Sequence, residues 1–132
     1  MKTECRIRVE GHQDAEVIVA EARYHEKNGR GYIFFEHETD GAAEKYSLKF
    51  DADSLEYNRK GVLRTSICLK KGEKTYADYV TPYGNFRAGF ETTEILVLEE
   101  AERIRILAEY NLSLNDLPHE KGKIRFEITE RQ

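Results

Sequence analysis

Two charged side chains occur where the alternating pattern of a β-strand would turn them toward a protein interior. Arg59 follows Tyr57 by two residues, and Glu36 follows Phe34 by two residues. A guanidinium can hold a carboxylate through two parallel hydrogen bonds, so an inward Arg59 indicates a binding site for a carboxylate ligand. The alternative is a buried Arg59–Glu36 ion pair that closes one end of the fold and fixes the register of its strands.

Other polar residues share apolar faces in the same way. Thr92 follows Phe90, and Tyr79 and Thr81 follow Ala77, each at a spacing of two. The segment 81–84, Thr-Pro-Tyr-Gly, predicts a tight turn whose Tyr83 covers the mouth of the fold; turn formation alone is the alternative. The candidate ligand-binding residues are therefore Glu36, Tyr57, Arg59, Tyr79, Thr81, Tyr83 and Thr92.

No catalytic residue, metal site or cofactor is predicted. The four histidines form no HxH or HxxxH pair, and a strand would place His37 on the face opposite Glu36 and Glu38. No Walker loop, GxGxxG or GxSxG motif is present. Cys5 and Cys68 are far apart and lack a CxxC arrangement, which is typical of free thiols.

The elements that must position these residues are strands. Apolar residues occupy every second position from Ile104 to Leu114, a pattern that a helix does not fit. Asn28-Gly29 predicts a hairpin turn, and Leu117-Pro118-His119 predicts another turn. We interpret residues 15–27 as a strand despite their alanines and glutamates, and residues 99–103 as a short helical turn, a charged strand end or a bulge. Breaks every ten residues or so predict an antiparallel all-β barrel or sandwich of about eight to eleven strands.

Composition limits the partners. The 132 residues suit one domain spanning 1–132, and the formal net charge of −4, with interspersed basic residues, argues against nucleic-acid binding. No apolar run of ~18 residues is present, so no membrane association is predicted. The first residues lack the features of a signal peptide, so we expect a cytoplasmic protein, either a monomer or a homodimer.

Four features together resemble the YwiB-like family of small bacterial proteins, a domain of unknown function. They are the aromatic-acidic stretch at 32–38, the Arg-x-Gly turn at 59–61, the Thr-Pro-Tyr-Gly segment followed by Thr92, and Tyr110 in the long late strand. The first differs from the usual Tyr-Glu-Glu by reading Phe-Glu-His-Glu. The resemblance implies an up-and-down calycin-type barrel, related in shape to lipocalins, that can enclose a cavity. It implies no activity.

Three functions are consistent with these observations. The first is a non-catalytic barrel that binds a small carboxylate or apolar ligand, with Arg59, Glu36 and tyrosines as polar anchors. The second is a packed barrel that acts as a protein-interaction or homo-oligomeric module. The third is a small barrel enzyme acting on a carboxylate substrate, which rests on analogy between folds. We favour them in that order.

Overall fold

The alternating segments of the sequence form the strands of one antiparallel sheet. A computed structural model describes residues 3–11, 17–39 and 41–130. Among these residues, no helix is long and apolar enough to span a membrane. The strands are β1 Glu4–Gly11, β2 Val17–Lys27, β3 Arg30–Thr39, β4 Ala42–Phe50, β5 Ser54–Lys60, β6 Thr65–Lys70, β7 Lys74–Thr81, β8 Gly84–Glu99, β9 Arg103–Leu114 and β10 Leu117–Glu130.

The sheet curves into a nearly closed barrel with the order β6-β5-β4-β3-β2-β1-β10-β9-β8-β7. Strands adjacent in sequence pair with each other, and β1 pairs with β10, where Ile7 lies opposite Ile128. Within the described residues, β6 and β7 are the consecutive strands that form no ladder with each other. The backbones of Arg64 and Val80 exchange two hydrogen bonds across this seam, and the Thr75 hydroxyl donates to the Cys68 carbonyl. The predicted all-β barrel of eight to eleven strands is confirmed.

Turn chemistry sets most strand boundaries. Asn28 and Gly29 both have positive φ, 54° and 75°, as the predicted hairpin turn requires. Residues 17–27 form the strand predicted there, while Ala15 and Glu16 lie outside the described residues. Residues 100–102 form a turn between β8 and β9.

The turn predicted at residues 117–119 is wrong. The chain reverses two residues earlier, where Asn115 and Asp116 adopt positive φ of 48° and 67°. Asn and Asp tolerate this conformation better than other non-glycine residues, so they turn the chain before Pro118 is reached. Pro118 then lies at the start of β10, beside a shift in register between Pro118 and Glu120.

The two halves of the barrel interior differ. Odd-numbered strands all finish at one end, which we call the upper end; it carries the turns after β5, β7 and β9. Toward the opposite, lower end the interior is filled by interlocking side chains, including Cys5, Ile7, Tyr24, Ile33, Phe50, Leu55, Leu69, Ile104 and Ile128. This packed floor carries most of the apolar burial that stabilises the fold. Toward the upper end the barrel is hollow.

Candidate functional site

The upper half of the barrel contains a cavity of about 350 Å³. Its wall is mainly aromatic and aliphatic, because the inward positions of nine strands carry rings or branched side chains here. The rings that line it belong to Tyr46, Tyr57, Tyr79, Phe86, Phe90 and Tyr110. Tyr79 and Phe86 stack face to face with centroids 4.8 Å apart, which gives the cavity a flat aromatic wall near its mouth.

Arg59 is the charged residue in the lining of this cavity, and its partner is Glu44. The Nε–H of Arg59 donates to Oε2 of Glu44 at 2.5 Å, and the Tyr46 hydroxyl donates to the same oxygen at 3.0 Å. The Glu44 side chain is only 3% exposed and that of Arg59 is 18% exposed. The guanidinium carbon also lies 5.5 Å from the centroid of the Tyr46 ring. The three side chains form one hydrogen-bonded unit.

This unit keeps Glu44 ionised at neutral pH. Burial alone would raise the pKa of the Glu44 carboxyl. The hydrogen bonds from Arg59 and Tyr46 outweigh burial, helped by the charges of Arg59 and His37, so the pKa of Glu44 lies below its usual range. The ion pair is therefore a fixed polar end wall of the cavity and carries no net charge.

Glycines make the room that two large inward side chains need. A Cβ on Gly61 would lie 2.4 Å from Cγ of Glu44, and a Cβ on Gly122 would lie 2.5 Å from the ring of Tyr110. Contacts this short do not occur, so each glycine allows its neighbour to lie flat against the backbone. The Arg-x-Gly segment thus has a physical basis, because Arg59 binds the carboxylate whose stem Gly61 accommodates.

The cavity wall also contains a hydroxyl without a partner. Thr65 lies opposite Arg59 in the β5–β6 ladder and lines the cavity, and its Oγ1 is buried without a hydrogen bond. A buried hydroxyl left in this state costs roughly 1–3 kcal/mol. No group of three His, Cys, Asp or Glu side chains within the described ranges is arranged to hold a metal ion.

Comparison with known proteins defines the family. Residues 1–128 match the family described as domain of unknown function DUF1934. The chain belongs to the DUF1934 family. The crystal structure of the ywiB protein from Bacillus subtilis superposes with a TM-score of 0.75 at 18% sequence identity, over 98% of this chain and 91% of that one. That likeness confirms the fold alone. No curated protein matches the sequence.

In this DUF1934 barrel the predicted interior position of Glu36 is wrong. Glu36 is exposed on the outer face of β3, opposite Lys45 of β4, and the carboxylate beside Arg59 belongs to Glu44. Both faces of β3 are apolar in the stretch Tyr32-Ile33-Phe34-Phe35, so alternation there does not show which face is inward. The structure turns Ile33 and Phe35 inward.

The remaining predicted site residues divide into two groups. Tyr57, Arg59 and Tyr79 line the cavity of the DUF1934 barrel. Thr92 is buried below it, opposite Tyr110, and its hydroxyl has no hydrogen-bond partner. Thr81 and Tyr83 belong to the turn.

The turn residues do not cover the cavity. The Thr81 hydroxyl accepts from the Tyr83 amide and donates to the Gly84 carbonyl, so it stabilises the reversal between β7 and β8. Tyr83 is fully exposed, and the prediction that it covers the mouth is wrong. Because Pro82 and Gly84 bend the chain, the Tyr83 side chain between them points to solvent.

Glu44 is the candidate site residue that the sequence did not lead us to expect, although a signal was present. Tyr46, Leu48 and Phe50 alternate with Lys45, Ser47 and Lys49, which fixes the inward face of β4. Glu44 lies two residues before Tyr46 on that inward face. A glutamate that continues an otherwise apolar face needs a buried cationic partner.

Proposed function

We propose that this barrel binds a small molecule with a flat, largely apolar body in its upper cavity. The observation that carries the proposal is the cavity itself, about 350 Å³ in volume and lined by aromatic rings above a packed floor. Ligand pockets generally fall between roughly 300 and 1,000 Å³ and combine apolar walls with a few fixed polar groups. An up-and-down barrel of calycin type presents such a pocket at one open end.

The polar end of the ligand is proposed to lie at Arg59. Among the residues of the lining, Arg59 is the one that carries a charge, and tyrosines 46, 57, 79 and 110 line the same cavity. Glu44 already neutralises the guanidinium, and a ligand carboxylate would add a second negative charge beside a buried one. We therefore favour an uncharged oxygen acceptor, such as a carbonyl or a phenol, over a carboxylate as the ligand's polar group.

Binding without catalysis is the function that the geometry supports best. The pKa of Glu44 is lowered, and its carboxylate is buried and already accepts from two donors. A general acid or base would need a pKa nearer neutrality and access to the substrate. A solidly packed interaction module finds less support, because the upper half of the barrel is hollow.

We also propose that the protein acts in the cytoplasm, where thiols remain reduced. Cys5 and Cys68 are both free, and burial, with a smaller contribution from Glu21, raises the pKa of Cys5 to about 11. Cys5 is therefore a protonated, small core side chain.

Native mass spectrometry of the protein as purified is the first test. A mass excess that disappears on denaturation would support the proposal and give the mass of the ligand.

A dye-binding titration provides a test that needs no retained ligand. N-phenylnaphthylamine is neutral, and anilinonaphthalene sulfonate adds an anionic group to a similar ring system. We expect the neutral dye to bind at least as tightly as the anionic one. Preferential binding of the anionic dye would instead support a carboxylate ligand, and binding of neither dye would contradict the proposed function.

Two tryptophan variants locate the bound dye. Leu63 lines the cavity, whereas its neighbour Val62 does not and is 56% exposed. Leu63→Trp should fill the cavity and weaken dye binding by about tenfold or more, which corresponds to ~1.4 kcal/mol. Val62→Trp, the matched control, should bind the dye as the wild type does. Equal effects of the two variants would place the dye outside the cavity.

A further inference from the structure

The outer face formed by β8, β9, β10, β1 and β2 carries two parallel rows of side chains. Each row crosses the five strands, and its members are direct cross-strand neighbours. The first row is Leu96, Leu107, Arg125, Glu10 and Val17. The second row is Leu98, Arg105, Glu127, Arg8 and Val19. We call these ten residues the five-strand face.

The apolar ends of the five-strand face are exposed. Leu96 and Leu98 are 45% and 44% exposed at one side, and Val17 and Val19 are 42% and 50% exposed at the other. The surface between β8 and β1 is also indented, with a depression of about 390 Å³. Paired aliphatic side chains on both flanks of an indented, arginine-rich surface are typical of a protein-binding surface.

The centre of the face contains two opposite charges, Arg125 and Glu127, on the same strand. Arg8 is bound to Glu10 at 2.7 Å, and Arg105 is bound to Glu100 at 2.7 Å. Within the described part of the chain, neither Arg125 nor Glu127 forms an ion pair within 4.0 Å. The hydrogen bond from Arg8 lowers the pKa of Glu10, and the charge of its cross-strand neighbour Arg125 helps to lower it. They are two residues apart on β10, roughly 6.6 Å along the strand, and share the outer face.

We propose that the five-strand face binds the same face of a second copy of this chain. Face-to-face contact about a twofold axis makes the axis lie in the plane of the contact. An axis that runs across the strands, between the two rows, places each row against the other row of the partner copy. Arg125 then faces the partner's Glu127, and Leu96 faces the partner's Leu98.

The other positions match under the same operation. Glu10 lies in line with the partner's Arg8, and Val17 lies in line with the partner's Val19. Because the outer surface of a barrel is convex, the pairs on β8 and β2 are farther apart than the central pair on β10. Leu107 faces the partner's Arg105, whose aliphatic stem can cover it. Each of these contacts occurs twice. An axis along β10 would instead bring Arg125 against its own copy and Glu127 against its own copy, so the charges select the axis across the strands.

The pairing of opposite charges and of aliphatic side chains between the two rows favours a second copy of this chain over a membrane surface or a nucleic acid. A membrane surface or nucleic acid presents charge of one sign and would meet both signs at the centre of this face. The residues of one row are complementary to those of the other row. The partner that fits them therefore presents the same two rows in exchanged positions, as a twofold-related copy does. The proposal does not depend on the ligand-binding function.

A charge swap tests the proposed axis. Arg125→Glu places a glutamate against the partner's Glu127, and Glu127→Arg places an arginine against the partner's Arg125. The double variant, Arg125→Glu with Glu127→Arg, restores opposite charges at both contacts. Lys121→Glu is the matched control, because Lys121 is an exposed residue of β10 outside the two rows.

Sedimentation velocity across the micromolar to millimolar range gives the outcome. We expect the wild type and Lys121→Glu to dimerise alike, each single swap to weaken dimerisation by about tenfold or more, and the double variant to recover it. A wild type that stays monomeric throughout the range would overturn the proposal. So would a dimer that the single swaps leave intact, or one that the double variant fails to restore.

Discussion

The Arg59–Glu44–Tyr46 unit couples the structure of the barrel to the chemistry of its cavity. Phe35 stacks on the Tyr46 ring with centroids 4.8 Å apart, which holds the hydroxyl that donates to Glu44. Glu44 in turn holds the guanidinium at the cavity wall. A group placed this way would present donors to the proposed ligand in a fixed geometry, so little ordering would remain to be done on binding.

Removing the arginine should expose the cost of burying Glu44. Arg59→Met should lower the free energy of unfolding by ~3 kcal/mol, because a nearly fully buried carboxylate loses its cation. The double variant Arg59→Met with Glu44→Leu should recover to within about 1 kcal/mol of the wild type, since no charge is then stranded. Urea denaturation of the two variants measures both values. A loss below ~0.5 kcal/mol in the single variant would show that the pair is not buried in solution.

The same pair should make stability depend on acid. The pKa of Glu44 is lower in the folded state than the ~4.3 of an unfolded chain, so its contribution is complete above pH ~4.3. That contribution is lost as pH falls through the lower, folded-state value. Glu44→Gln should therefore show a shallower loss of unfolding free energy below pH ~4.5, in denaturation curves measured across the acid range. Glu36→Gln makes the same change at an exposed glutamate and is the control. An equally shallow pH dependence of the unfolding free energy in that variant would contradict its assignment to Glu44.

At the level of strands, the seam between β6 and β7 is the break in an otherwise continuous ladder. Arg64 and Val80 bridge it near the cavity, and the turn after β6 closes it at the lower end. Backbone N–H groups of a strand alternate in direction, and the Arg64 amide points to β7. The amides of Ser66 and Cys68 must therefore also point into the seam, where no ladder receives them.

Hydrogen exchange should reveal this alternation along a single strand. We expect the amides of Ser66 and Cys68 to exchange on the order of a hundredfold faster than those of Ile67 and Leu69, which point to β5. The Arg64 amide, bonded across the seam, should be protected like the β5-facing ones. Residue-resolved NMR exchange measures all five. Uniform protection along β6 would mean that the barrel closes fully in solution.

The strands also show what sequence patterning can and cannot supply. Alternation identified strands such as β9 because polar and apolar residues occupy opposite faces. It failed to orient β3 because both faces of Tyr32-Ile33-Phe34-Phe35 are apolar, and the exposed Phe34 covers surface on the outside. The Arg59 position was correctly expected to be inward, yet its partner came from β4. Pairing between strands depends on the register of the whole sheet, which a local pattern does not contain.

At the scale of the whole molecule, the chain closes its barrel by joining its first and last strands, while the seam falls between two consecutive strands. Cys5 lies opposite Glu130, so a short linker could connect the two ends of the barrel. Opening the chain in the β6–β7 turn would then leave a simple meander in which every ladder joins neighbours in sequence. Opening it at Asn28–Gly29 would instead turn the β2–β3 hairpin into a long-range pairing.

The two permutants should therefore refold at different rates. The permutant opened at Lys71–Gly72 should refold about tenfold faster than the wild type, because it lacks a long-range ladder. The permutant opened at Asn28–Gly29 carries the same linker and should refold near the wild-type rate. Stopped-flow circular dichroism measures both. The two permutants differ in the long-range β2–β3 ladder, so equal rates would show that no long-range ladder has to form in the rate-limiting step.

The position of β1 between β2 and β10 has a consequence for synthesis on the ribosome. As the chain emerges, β2 covers one edge of β1 early, while the other edge waits for a partner made more than a hundred residues later. Throughout that interval the growing sheet presents an uncovered strand edge beside the buried side chains of Cys5, Ile7 and Val9. The nascent barrel is thus most exposed to wrong pairing just before β10 is released, and that interval is when a chaperone would protect it most.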